Sequence, residues 1–349
     1  MPSEEFRKLV RYIRGRPAQT LSIEQRRTAM DTVGRGVPLP DGLESATEAR
    51  LPRAAEWLLP RTHDDSVLVH FHGGGFQLGS IDSHRHLAAY IAAAAGTRGL
   101  IFDFRLAPEH PFPAAADDCL AFYRGLLSSG VAPARIALIG DSSGAALLLD
   151  TMLAARAAGL PLPAAAVLLS PVLDFKTHAS LRDAGDDDPT LDPEWLRAAM
   201  AAYRGGAALD DPRLSPLRAE LRGLPPLLVQ TGAGEYLTPD VHRFAARCRD
   251  AHVSITMDEW LDMIHVWQWF APRLPEAMEA IGRIAAFLRL HIPPQSHPTI
   301  EPANASSHSR GRKKWQSPRN HRIGASGATP MKGERRISSR RKFSKKPAA

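Results

Sequence analysis

Apolar positions recur at helical spacing near the N-terminus: Phe6, Leu9, Val10 and Ile13, then Ile23 and Met30. That period predicts one or two amphipathic helices within residues 4–33. LESATEARL and AAEWLLP follow and read as strands, and SVLVHFH is a β-branched strand running into glycines. Beyond it the pattern alternates. GLIFDFRL, RIALIG, AAAVLLSP, PPLLVQTG and SITMDEW have strand character; AAADDCLAFYRGLLSSG, SGAALLLDTMLAARAAGL, PDVHRFAARCRDAH and PEAMEAIGRIAAFLRLH have helical character. Strands and helices in alternation predict an α/β fold, a mostly parallel central sheet with helices on both faces.

Two segments stand outside the alternation: the N-terminal helices, and residues 175–222, which contain DPEWLRAAMAAY. There Asp192 and Pro193 have the chemistry of an N-cap and a first helical turn. Both segments are expected to cap the sheet. The expected organisation is an N-terminal helical cap segment over 1–40, a main domain over 41–293 with a cap insertion at about 175–222, and a tail over 294–349.

Charge sharpens the last boundary. Of the 44 Lys and Arg residues, 14 lie from Gln295 onward against two acids, Glu301 and Glu334; residues 1–294 hold 30 against 35, a formal charge of −5. The net charge of +7 therefore belongs to the tail. With few aliphatic residues and no periodic apolar face, the tail cannot offset the entropy of ordering and is expected to be a solvated, disordered extension. Weak, non-specific polyanion contact is the partner its charge suggests. The charged start, MPSEEFRKLVRYIRGRP, lacks the apolar stretch of a secretory signal, and no apolar run has the length of a membrane span. With only Cys119 and Cys248, far apart, a disulfide framework is not expected, and a cytoplasmic location is.

In an open parallel sheet, chemistry sits beyond the carboxyl ends of the strands. Gly140-Asp141-Ser142-Ser143-Gly144 fits G-x-S-x-G and lies between the strand RIALIG and the helix SGAALLL, the setting of a nucleophile elbow. Ser142 occupies the central position, and the useful group of Ser143 is its backbone N–H. A serine hydroxyl needs a base. His265, between SITMDEW and the final helix, is the candidate. The orienting acid should fall between serine and histidine in the chain. LLVQTGAGEYLTPD offers Glu235 and Asp240; Glu235 is preferred because Asp240 has the position of a first-turn helix residue. Asp258 and Asp262 are close to His265 in sequence and less suited. Oxyanion donors are expected from His72-Gly73-Gly74-Gly75, where glycines let backbone N–H groups approach a reacting carbonyl.

HGGGFQLGS, DFRLAPEHPFPAAADD, GDSSGA, SPVLD, GEYL and MIHVW, in that order, make the chain resemble bacterial carboxylesterases of the hormone-sensitive-lipase-like branch of the α/β-hydrolase fold, over roughly residues 5–290. The resemblance implies a Ser142–His265–Glu235 triad and an oxyanion hole made by the N–H groups of Gly74, Gly75 and Ser143. It implies hydrolysis of small, short-acyl esters, with lactone or N-acetyl amide hydrolysis as the alternative use of the same triad. A non-catalytic small-molecule receptor on the same fold is a more distant reading, disfavoured because His265 is retained. The sequence departs from the family at Ser143, where Ala or Gly is usual; at Phe104, where Tyr is; at Asp262, where Gly is; and at Pro239, often acidic. The expected partners are a small-molecule ester and a second copy of the chain. Neither metal nor organic cofactor is expected.

Other clusters have simpler readings. His70, His72, His84 and His86 lack a carboxylate or cysteine spacing that would complete a zinc site. DAGDDDP at 183–189 lacks a calcium-loop pattern and is expected to be a solvated cap loop. Trp267, Trp269 and Phe270 suit either an acyl pocket or core packing, and Arg105 and Glu109 are expected to support the structure around the site.

Overall fold

A computed structural model describes residues 1–15, 21–176 and 188–292. The tail, and most of the acidic stretch before Pro189, lie outside the described residues. Eight strands form one sheet: β1 (Glu44–Glu48), β2 (Ala55–Leu59), β3 (Val67–Phe71), β4 (Arg98–Phe102), β5 (Ile136–Asp141), β6 (Ala165–Leu169), β7 (Leu227–Gly232) and β8 (Ile255–Trp260). Their spatial order is β1-β2-β4-β3-β5-β6-β7-β8. β1 pairs antiparallel with β2 and β2 with β4; every later pairing is parallel.

The order explains where the chemistry lies. From β3 the chain steps outward to β4, then returns to place β5 on the other side of β3. Connections from β3 and β5 thus leave in opposite directions and open a crevice above the strand ends, the usual ligand site of such sheets. The glycine-rich loop follows β3 and Ser142 follows β5.

β3, β5, β6 and β7 are buried along their whole length, which is why they read as near-continuous apolar runs rather than alternating ones. On one face Phe71, Leu138, Leu168 and Val229 pack with α4 (Ala114–Ser128), α5 (Ser143–Ala157) and α7 (Thr238–Asp250), through residues such as Phe122, Met152 and Phe244. On the other, Leu68, Ile139, Val167 and Leu228 pack with α3 (Ile81–Ala95) and α8 (Pro275–His291) through Leu87, Ile91, Ile281 and Ile284. α3 is the element that the hydrophobic pattern does not bring out: its buried residues include His84, His86, Ser83 and four alanines, so no apolar stripe stands against a polar one.

The segments outside the alternation supply three further helices: α1 (Glu4–Arg14), α2 (Ile23–Arg35) and α6 (Pro193–Arg204). Ser22 and Gln25 form a capping box at α2, and Asp192 caps α6 by accepting from the Glu194 and Trp195 N–H groups. α1 contributes Phe6 to the core cluster that α3 and α8 share. Among the described residues no helix is long and apolar enough to cross a membrane.

Candidate active site

Ser142 stands at the junction of β5 and α5 with φ 52° and ψ −118°. Such backbone costs on the order of 1–3 kcal/mol and persists only where the surroundings over-determine it. They do here. The Ser142 N–H donates to the Leu169 carbonyl at 2.8 Å, and the Ser142 carbonyl accepts from Val172 at 3.1 Å. The flanking glycines are steric necessities: a Cβ on Gly144 would lie 2.1 Å from the Phe71 carbonyl oxygen, and one on Gly140 would lie 2.8 Å from the Ala145 nitrogen.

The glycine-rich loop lies directly against this turn. A Cβ on Gly73 would meet the Asp141 carboxylate at 2.1 Å. Gly74 and Gly75 have φ of 115° and 62°, open to glycine and strained for other residues. The Ser143 hydroxyl has a part that its position does not suggest: it accepts the Phe76 N–H at 3.2 Å and ties the loop to the elbow. Among the described residues, the N–H groups of Gly74, Gly75 and Ser143 have no hydrogen-bond acceptor.

Residues of α2 and α6 brace the same loop from outside. Arg27 of α2 donates to the Gln77 carbonyl at 2.7 Å and the Ala107 carbonyl at 2.9 Å, and its guanidinium forms a two-point pair with Glu109. Tyr203 of α6 stacks on Phe76 at 4.0 Å, and the Trp195 ring stands 2.7 Å from where a Gly75 Cβ would be. Arg105 pairs with Asp118. Glu109 and Arg105 are thus both engaged in holding structure around the site.

Three strand-end loops bring the remaining partners together. His265 Nε2 lies 3.0 Å from Ser142 Oγ, and its Nδ1 lies 2.9 Å from Glu235 Oε2. With the Nδ1 proton on the Glu235 side, Nε2 is free to accept from the serine. Glu235 Oε1 accepts from the Ser170 hydroxyl at 2.8 Å and from the Gly232 N–H; Ser170 Oγ in turn accepts from the Val266 N–H at 3.1 Å. Ser170, at the end of β6 with φ 45°, is a member of the site that the sequence reading passes over. Its signal was available, a polar residue immediately after a strand in SPVLD. Burial disfavours a charged imidazole at His265, but the Glu235 hydrogen bond and charge, with smaller contributions from Asp188 and Asp141, outweigh it and raise its pKa.

Of the alternative acids, Asp240 is buried in the first turn of α7 and pairs with Arg243. Asp258 accepts from Gln230 and pairs with Arg283, while Asp262 is exposed. Asp188 corrects the expectation of a solvated loop: it is 6% exposed. It lies beside the triad candidates; its carboxylate, that of Glu235 and a ring nitrogen of His265 have ligand atoms within 4.8 Å of one another. A metal could be held there only in competition with the hydrogen bonds just described.

The other histidines form a buried layer beneath the loop. His70 Nε2 lies 3.0 Å from Asp141 Oδ1, and His84 Nε2 lies 3.4 Å from Oδ2. Burial alone would raise the Asp141 pKa; His84 and His70 overcome it and hold that carboxyl well below its usual range. His72 stacks on Phe104 at 4.1 Å, and burial pushes its pKa down to about 3. Trp267 is core, whereas Trp269 and Phe270 line a groove of about 920 Å³ with α1, α2, Pro189 and Thr190.

Residues 68–269 match the family model described as alpha/beta hydrolase fold. The chain belongs to that family. Among its relatives is an acetyl-hydrolase of Streptomyces hygroscopicus, 43% identical over 67% of this chain and 79% of that protein. An esterase of the bacterial hormone-sensitive lipase family superposes with a TM-score of 0.79 at 42% identity, over 84% of this chain and 99% of its own. EstE5, whose crystals were soaked by p-nitrophenyl butyrate, superposes with a TM-score of 0.78 at 36% identity, over 83% and 99% respectively. This α/β-hydrolase thus stands in the hormone-sensitive-lipase-like branch.

Proposed function

We propose that this carboxylic ester hydrolase cleaves small, short-acyl esters through a Ser142–His265–Glu235 triad. One row of contacts carries the reading: Ser142 Oγ to His265 Nε2 at 3.0 Å, and His265 Nδ1 to Glu235 Oε2 at 2.9 Å. As Ser142 Oγ attacks the ester carbonyl carbon, His265 Nε2 takes its proton, and Glu235 steadies the resulting imidazolium. The carbonyl oxygen gains charge opposite the N–H groups of Gly74, Gly75 and Ser143, which are free to donate to it. Each such donor is worth about 100- to 1,000-fold in rate. His265 then protonates the departing alcohol. Water, deprotonated by the same nitrogen, releases the acid from Ser142.

The short-acyl preference is supported by two relatives, one named an acetyl-hydrolase and one soaked by a butyrate ester. The segments over 1–40 and about 175–222 act as the cap: α2 and α6 both press on the oxyanion loop, so they bound the space for acyl and alcohol groups. The name of the acetyl-hydrolase also favours a second reading, in which the acetyl group leaves nitrogen rather than oxygen; N-acetyl compounds belong in the same substrate panel.

Ser142→Ala is expected to lower hydrolysis of p-nitrophenyl acetate and butyrate to background, with the wild type losing activity as the acyl chain lengthens. Retained turnover in that variant would remove the triad; a preference for long chains would remove the short-acyl assignment.

A further inference from the structure

Asp188 belongs to the cap, four residues before the N-cap of α6, and its side chain turns inward. Oδ1 accepts from the Thr190 N–H at 3.0 Å and the Thr190 hydroxyl at 2.7 Å. Oδ2 is buried without a hydrogen-bond partner. A buried carboxylate oxygen left unpaired is costly unless positive charge compensates it. Among the described residues no cationic side chain forms an ion pair with it, and ligand atoms of Glu235 and His265 lie within 4.8 Å of its own. Glu235 is fully engaged, one oxygen by Ser170 and Gly232 and the other by His265. What can answer the free oxygen is the positive charge that His265 acquires during the reaction.

Resting on His265 as the base, we infer that Asp188 is a positioning residue, a second carboxylate delivered by the cap that stabilises the His265 imidazolium formed when Ser142 loses its proton.

Among the described residues, the charged groups around the imidazole are few. Glu235 reaches it from the turn after β7, Asp141 from the end of β5, and Asp188 from the cap; Ser142 is its neutral neighbour. Asp141 is occupied by His70 and His84. Asp262, in the histidine's own loop, is exposed and lines a cavity of about 240 Å³ with Asp188, Gly234 and Met263. Because the imidazolium is opposed by burial and favoured by these carboxylates, each negative charge removed makes the base easier to deprotonate. The cap therefore sets the strength of the base as well as the shape of the pocket.

The test is the pH dependence of kcat/KM on p-nitrophenyl acetate, which reports ionisations of the free enzyme, using the full chain. Asp188→Asn is isosteric and removes only the charge. Its acid limb should move down by about one pH unit, equivalent to a tenfold change in proton affinity, while the plateau falls several-fold. Asp188→Glu should return the limb toward wild type. Asp262→Asn should move it by no more than a few tenths of a unit. An unmoved limb in Asp188→Asn, or an equal shift in Asp262→Asn, overturns the inference. Should Asp188→Asn not fold, Asp188→Ala replaces it, removing the charge together with the shape of the carboxylate; a limb unchanged there has the same consequence. The parent reading fails separately, through wild-type turnover in His265→Ala.

Discussion

Ser142 is held between two regions built on different physics. On the side of β3 and β5, position is set by backbone packed against backbone: Gly73, Gly140 and Gly144 each lie where a single added carbon would overlap neighbouring atoms. On the side of β6, β7 and β8, position is set by side-chain hydrogen bonds passing from Val266 through Ser170 and Glu235 to His265. The first region is steric and tolerates almost no change of volume. The second is electrostatic; its groups can change charge while keeping shape. Damage to the first should cost the fold, and damage to the second should cost the rate.

The largest effect is expected at Gly144. Gly144→Val would drive a side chain into the Phe71 carbonyl and the chain around His72. A loss of more than about 4 kcal/mol, the exceptional class of substitutions, is expected; the variant should give little folded protein by circular dichroism. A folded, active variant would break the distinction at its strongest point.

Glu235→Gln is the matching test of the other side. Shape is retained, but the negative charge that outweighs burial at His265 is gone. The melting temperature should stay within a few degrees, while kcat falls by about 10,000-fold, the loss typical of neutralising a triad acid. Its acid limb should also move to lower pH, since the group that raises the His265 pKa has lost its charge. Unfolding, with little change in rate per folded molecule, would reverse the comparison.

The smallest effect belongs to Ser143→Ala. The hydroxyl is the acceptor for the buried Phe76 N–H, so its loss should cost about 1–3 kcal/mol, read as a lower melting temperature. Turnover should change no more than a few-fold, because the Ser143 N–H survives. A thousandfold fall in kcat would place catalytic weight on the hydroxyl and blur the boundary between the regions.

How legible each region is in the sequence follows from the same difference. The steric side is written locally: glycines flanking a serine between a strand and a helix have few other uses, and HGGG after β3 is equally compact. Glu235 and His265 could be chosen because both follow strands. Ser170 follows a strand as well, but nothing local marks what it or Asp188 would touch. The partners of Ser170 lie 65 and 96 positions away, the triad candidates beside Asp188 belong to other segments, and an acidic run ordinarily faces water. α3 has no periodic signature for a related reason: it is buried nearly all round and has no polar face to give it a period. Ser143 carries the opposite lesson, since its side chain proved structural where its position drew attention to the N–H.

The sequence by itself determined the alternating α/β layers, the elbow and the loop that faces it, because those depend on period, chain stiffness and residue volume, all local quantities. The depth at which a charge is buried and the direction of a lone pair depend on what the rest of the chain brings alongside. Only the tertiary structure could therefore bring Asp188 beside His265, join Ser170 to Glu235, and lay α2 and α6 against the glycine-rich loop.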